Sequence, residues 1–309
     1  MIISPYKNGF IDAPCYNILK EIQTDITIIM LTKFSDFVFD EKFYDLDKYI
    51  LADFLENGAN SYNLKQSLIF GRDISGFKQV ETDEWQKFQQ FVKDKPPVVY
   101  FKRELLTKDV GDNIYTIDFA CVLPEYPIQS KSEFDSRKID LINWWGYSHE
   151  IRKMFHSEVF KNAVKRDRNI VDNLNYLQNE LDDKRRIWVS VFTPHYARYD
   201  KLQLMQVNAM AKISVSMPGS GICCFRHTEA SANSVMLMRN DPIAWSYPWR
   251  HNENCIMFDR GDSLDDIRGI NGAEAAIEAI EEALINPSLY DIYVACVENC
   301  NRYRLEQYC

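Results

Sequence analysis

The stretch that decides the fold runs from Gly219 to Asp262: GSGICCFRHTEASANSVMLMRNDPIAWSYPWRHNENCIMFDRGD. Gly219 and Gly221 make a turn that leads into Cys223, Cys224 and Phe225. Arg226, His227 and Glu229 then form one polar cluster, and the apolar run Val235 to Met238 follows. A Trp- and Pro-rich loop ends at Glu253-Asn254-Cys255, and a last apolar run closes at Phe258, before the acidic turn Asp259 to Asp262. A core segment has no use for an arginine, a histidine and a glutamate within four residues beside two glycines. A pocket for a phosphorylated ligand does, because a guanidinium fork matches phosphate oxygens.

Outward from this stretch, the preceding chain alternates apolar strands, polar loops and amphipathic helices. Ile139 to Trp145 reads as a strand, Gly146-Tyr147-Ser148-His149 as its turn, and Glu150 to Lys165 as a helix with Ile151, Met154, Phe155, Val159 and Phe160 on one face. Asp172 to Asp183 is an expected helix, Ile187 to Phe192 a strand ending at Thr193-Pro194-His195-Tyr196, Lys201 to Met210 a helix and Ile213 to Met217 a strand. That rhythm predicts a doubly wound parallel sheet. Small and polar residues between a strand end and a helix start let backbone N–H groups approach a phosphate. Gly146 and Ser148 occupy such a turn, Ser148 as the N-cap, and Arg152 lies one helical turn further on.

This order of features resembles the donor-binding half of GT-B glycosyltransferases, in particular the group 1 transferases, over residues 139–309. The matching elements are the glycine loop at Gly219, the helix carrying Glu229, the short strand 235–239, the loop end Glu253-Asn254-Cys255 and the acidic turn after Phe258. The tail AEAAIEAIEEALINPSLYDIYVACVENCNRYR adds a helix, an Asn-Pro break and a second helix. Cys255 stands where the family carries glycine. The resemblance implies an α/β fold of two Rossmann-like domains facing each other across a cleft. Residues 1–138 would form the acceptor-side domain and 139–309 the nucleotide-sugar donor-binding domain, with the last helix packing back on the first. It implies a ribose contact for Glu229, a diphosphate held by Arg152 and Arg226 with Gly146, Ser148, His195 and His227 beside it, and Glu253 and Asn254 on the base or sugar side. The expected reaction is transfer of a hexosyl or pentosyl group from a UDP-type nucleotide sugar to a hydroxyl, retaining and without a metal cofactor. In size the chain is similar to phage-type GT-B enzymes that modify DNA at hydroxymethylated pyrimidines, so the expected acceptor is such a base or a saccharide.

The first half is less explicit. Ile26 to Leu31 and Tyr49 to Phe54 are β-branched or apolar runs of buried-strand length. Asp53 and Glu56 lie at the carboxyl end of the second run, where open α/β sheets bind ligands; they are candidates for holding an acceptor or, with Asp36, for the base if the enzyme inverts, and a turn with a capping acid explains them at least as well. Asp45-Leu-Asp47 matches a short acid-x-acid metal motif but stands before a strand, where a turn accounts for it. Thr82 to Val92 reads as a helix, Pro96-Pro97 ends it, and Val98 to Phe101 is the next strand, closed by Lys102-Arg103-Glu104 as a second place to meet a charged substrate. Residues 124–138 carry prolines and mixed charge and read as the linker.

The chain's 309 residues accommodate two domains. Hydrophobic residues at 46% and charged residues at 26% fit a soluble protein, and the net charge of −9 excludes a whole-surface basic footprint for nucleic acid. Eight cysteines without a pairing pattern, no leader-like N-terminus and no run of ~18 apolar residues predict reduced thiols, a cytoplasmic setting and no membrane span. No histidine or cysteine pair has zinc-site spacing. The competing reading is a non-catalytic sugar- or nucleotide-binding α/β protein. A dehydrogenase-type site lacks its third glycine after Gly221.

Overall fold

A computed structural model describes residues 2–3, 25–31, 38–54, 83–105, 107, 110–118, 121, 125, 127–143, 150–159, 164–166, 188–191, 205–206, 208–218, 223–259 and 270–304. Two parallel sheets succeed each other along the chain. The first contains β1 (Ile2–Ile3), β2 (Thr27–Leu31), β3 (Tyr49–Asp53), β4 (Val99–Lys102) and β5 (Ile114–Thr116), side by side in that order. Each neighbouring pair runs parallel. β2 and β3 are nearly continuous apolar runs because both their faces are covered. Helix α1 (Asp83–Asp94) lays Phe88, Phe91 and Val92 on one face, where they meet Tyr49, Tyr100, Phe39 and Phe43. The first turn of α1 is acidic and the last basic, the sense that suits the helix dipole.

After β5 comes a short helix, α2 (Lys131–Asp135), inside the stretch expected to be a featureless linker. A capping box builds it: Ser130 and Glu133 satisfy each other's backbone N–H groups, and Phe134 is buried beneath. The pattern Ser-x-x-Glu was present in the sequence and would have announced it.

The second sheet contains β6 (Ile139–Asn143), β7 (Val164–Arg166), β8 (Trp188–Val191), β9 (Ala211–Ser216), β10 (Val235–Arg239) and β11 (Ile256–Phe258). Its order is β11-β10-β9-β6-β8-β7, again with parallel neighbours. Strands after β6 fill one side of it, and those from β9 onward fill the other. The direction of winding therefore reverses between β6 and β9.

The helix expected to reach Lys165 is α3 (Glu150–Val159) only. Val164, Lys165 and Arg166 instead pair with Val189, Ser190 and Val191, so a ladder takes residues that helical spacing alone had claimed. Helix α4 (Phe225–Ser231) follows β9, and α5 (Ile270–Ile285) and α6 (Leu289–Arg302) close the described chain on either side of Asn286-Pro287-Ser288. The helix expected over Asp172 to Asp183 lies outside the described residues. One face of the second sheet presents Leu141, Ile213, Val215, Val235 and Leu237 to α3, α5 and α6. The other presents Ile142, Met236 and Met238 to α4 and to Cys296 and Cys300 of α6.

The linker is riveted to this sheet by Arg137. Its buried guanidinium donates to the carbonyls of Ala211 (2.6 Å) and Asn233 (2.8 Å) and to Gln129 Oε1, and it lies against the rings of Phe134 and Tyr293 at 4.8 and 4.7 Å.

Candidate functional site

In an open parallel sheet, ligands bind beyond the carboxyl ends of the strands, where the winding reverses. Here that place lies beyond β6 and β9. α3 leaves β6 on one face of the sheet and α4 leaves β9 on the other, because Phe155 and Val159 belong to one core cluster and Ala230 to the opposite one. The two helices bring their charged residues to the end of β9 from both sides. Ser216, the last residue of β9, is fully buried there with no hydrogen-bond partner for its hydroxyl.

Arg152, on α3, is buried and donates through Nε to Pro218 O (3.0 Å) and through Nη2 to Met217 O (3.2 Å), just past β9. Burial lowers its pKa below the usual arginine value; Cys224 and Glu229 oppose that shift, and the like charge of Arg226 adds to it. Those neighbours place Arg152 within electrostatic reach of the α4 residues. On α4, Arg226 Nη1 lies 3.0 Å from Glu229 Oε2. Both side chains keep partial exposure, 27% and 19%, so the pair faces outward at one end. As an i,i+3 ion pair it contributes about 0.2–0.5 kcal/mol to the helix. Asn208 fixes the helix by donating to the Glu229 carbonyl.

His227 is buried on the same helix. Its Nδ1 lies 3.1 Å from Cys224 O and 3.7 Å from Cys224 Sγ, and its ring sits 4.8 Å from that of Trp245. Burial depresses its pKa, so the imidazole is neutral at pH 7 and brings no positive charge to a phosphate. Its contacts are those of a helix-start residue. The half-buried Cys224 thiol is pushed up by burial, away from the thiolate.

Several of the residues singled out from sequence, Asp36, Glu56, Gly146, Ser148, His195, Gly219 and Gly221, lie outside the described residues. Asp53 does sit at the end of β3, where it is 1% exposed; its carboxylate accepts from Tyr100 Oη at 2.7 Å and pairs with Lys102 Nζ at 3.5 Å. That buried ion pair is where the expected base candidate is engaged. Glu253 and Asn254 occupy the loop before β11. Asn254 accepts from Arg250 N and donates to Pro248 O, and Glu253 pairs with Arg250, each of those two side chains 64% exposed. These bonds stay within the loop. Cys255, where the resemblance expects a glycine, is fully buried, with its thiol raised well above the usual value by burial.

Sequence reading missed a buried seam. Behind β4 and β5, Leu105 O accepts from Ala244 N (2.7 Å), Thr107 N donates to Pro242 O (3.0 Å), and Thr116 Oγ1 donates to Ala244 O (2.9 Å). Asp118 accepts from Ser246 N at 2.7 Å and from Cys223 Sγ at 3.7 Å, and Glu104 accepts from Cys223 N at 3.0 Å. Burial raises Asp118 to about 6, against the pull of its Ser246 and Cys223 hydrogen bonds and of His227. Asp118 gave no signal because β5, three residues long and half exposed, has no run to announce it. Among the described residues no group of three or more His, Cys, Asp and Glu could hold a metal ion, and no helix is long and apolar enough to cross a membrane.

No family model and no curated protein matches the chain. Solved structures share its outline loosely. TarM is 14% identical over 96% of this chain, with a TM-score of 0.44. The α,α-trehalose-phosphate synthase (UDP-forming) of Burkholderia vietnamiensis is 9% identical over 95% of this chain and 73% of its own, at 0.44. That of Burkholderia xenovorans, in complex with glucose-6-phosphate, is 9% identical over 96% and 75%, at 0.42. The chain spans 56% of the length of TarM. These scores describe a likeness of α/β outline too loose to assign an activity.

Proposed function

We propose that the protein is a glycosyltransferase of GT-B architecture that moves a sugar from a nucleoside diphosphate, UDP in the first instance, to a hydroxyl acceptor. One observation carries the reading: Arg152 from α3 and the Arg226–Glu229 pair from α4 converge from opposite faces on the end of β9, where the winding reverses. A departing diphosphate accumulates negative charge as the glycosyl bond breaks, and fixed guanidinium groups stabilise that charge without reorganising. In this reading Arg226 swings from Glu229 to the diphosphate, Arg152 supplies a second positive charge behind it, and Glu229 is released to accept from the ribose hydroxyls. His227 holds the start of α4 as a neutral ring. The two sheets then face each other across the seam that joins residues 104–118 to the loops after β9 and β10.

The finer parts of the proposal follow from the same resemblance: a retaining transfer that needs no metal, residues 1–138 as the acceptor side, and either a hydroxymethylated pyrimidine in DNA or a saccharide as the acceptor. With Asp53 engaged by Lys102 and Tyr100, no protein base is assigned to it here. The experiment is release of free nucleotide from UDP- and GDP-sugars, with and without hydroxymethylated DNA, followed by retention of that DNA in a gel at low and moderate salt. Turnover of one donor class supports the transferase. Nucleotide binding with flat turnover under every condition favours a non-catalytic nucleotide-binding protein instead.

A further inference from the structure

Three described non-glycine residues have positive φ: Glu104 at 60°, Asn113 at 64° and Asn252 at 58°. Asparagine visits this left-handed region readily, whereas a glutamate there is uncommon and costs backbone energy that surrounding contacts must offset. Glu104 is also fully buried, directly behind β4. Its carboxylate does not serve its own half alone. It crosses 119 positions of sequence to accept the backbone N–H of Cys223. Cys223 is the residue before the N-cap of α4, so whatever holds it sets the angle at which that helix starts. The Cys223 thiol is engaged as well, by Asp118. Two carboxylates of the first half thus grip, by its backbone and by its side chain, the one residue from which the Arg226–Glu229 helix departs.

We propose that Glu104 is a positioning residue for the nucleotide site: the left-handed turn aims its carboxylate at the Cys223 N–H, and that bond fixes where α4 presents Arg226 and Glu229. The inference rests on the nucleotide-sugar reading of that site. It also makes the first half of the chain part of the donor site's construction without touching the donor.

The test titrates UDP and GDP calorimetrically into the wild-type chain to select the tighter ligand. That nucleotide is then titrated into Glu104→Gln, Glu104→Ala and Glu104→Gly, each melted without ligand. Glutamine keeps an acceptor oxygen at the same reach, so Glu104→Gln retains affinity to within roughly threefold. Alanine and glycine lose it by about tenfold, the scale of one hydrogen bond to a charged acceptor. Glycine takes φ near 60° freely, so Glu104→Gly unfolds at a higher temperature than Glu104→Ala while sharing its loss of affinity. A merely structural role would instead make affinity follow melting temperature. Wild-type affinity in Glu104→Ala, an equal loss in Glu104→Gln, or affinity that tracks stability overturns the inference while leaving the nucleotide reading in place. Absence of binding by the wild-type chain sinks that reading, and the inference with it.

Discussion

At the scale of single residues, the account turns on what burial does to charge. Asp118 is held protonated to about pH 6 because the seam offers little solvation, although its two oxygens accept from Ser246 N and Cys223 Sγ. The sign follows from proton counting. Between 3.8 and about 6 the folded chain keeps a proton that the unfolded chain has released. Stability from this group is therefore complete below pH 4 and is lost as pH rises through 6. At about 1.4 kcal/mol per pH unit the loss is on the order of 3 kcal/mol. His227 works in the other direction: its depressed pKa contributes stability above the unfolded value of 6.5, lost as pH falls. Asp118→Asn removes the first effect and also takes from His227 a charge that opposes its depression, so both changes favour the variant as pH rises. Urea unfolding at pH 4 and pH 7 should show the variant gaining on the wild-type chain by on the order of 3 kcal/mol between the two conditions; a constant difference would refute the assignment. None of this was legible in the sequence, where Asp118 follows a three-residue strand and meets Ser246 at a separation of 128 residues.

At the scale of elements, the longer strands of both halves were legible, β2, β3 and β4 as well as those of the second sheet, for a physical reason. Strands buried on both faces read as apolar runs, and β6, β8, β9, β10 and β11 all fall within the expected stretches or within two residues of them. The Asn286-Pro287 break between α5 and α6 was equally plain, since proline cannot continue a helix. Short elements without an apolar run escaped. β5 and β7 have three residues each, and their existence depends on neighbours that no local window contains. α2 escaped because the prolines ahead of it, Pro124 and Pro127, and the mixed charge of the stretch drew the reading away from the capping box at Ser130 and Glu133. Arg137 had been invisible too, although it joins α2 to β9 and to Asn233, just ahead of β10, by two buried carbonyl bonds and two ring contacts. Lysine cannot reproduce a planar fork between two rings. Arg137→Lys should cost about 2–4 kcal/mol, measured by chemical denaturation; a loss under about 0.5 kcal/mol, the range of an unremarkable surface change, would show that the rivet is ornamental.

At the scale of the whole molecule, two sets of cores and a polar seam define the arrangement of the described residues. Apolar clusters of residues 28–117 serve the first sheet, and clusters of residues 121–303 serve the second. Between them run backbone and carboxylate hydrogen bonds, which can be exchanged for water more cheaply than an apolar core can be opened. The charged cluster of Arg152, Arg226 and Glu229 borders this seam through Cys223 and Cys224. Arg226 and Glu229 were readable in the stretch from Gly219 onward, and the resemblance set Arg152 beside them; local spacing alone could not, because Arg152 and Arg226 come together only through the reversal of winding between β6 and β9. The most direct measurement is calorimetric titration of UDP, GDP and their 2′-deoxy analogues into the wild-type chain, Arg226→Ala and Glu229→Ala. The account predicts that one ribonucleotide binds, that Arg226→Ala weakens it by about tenfold or more, and that Glu229→Ala erases the preference for the ribonucleotide over its 2′-deoxy form. No heat with any nucleoside diphosphate, or unchanged affinity and ribose preference in both variants, would contradict it.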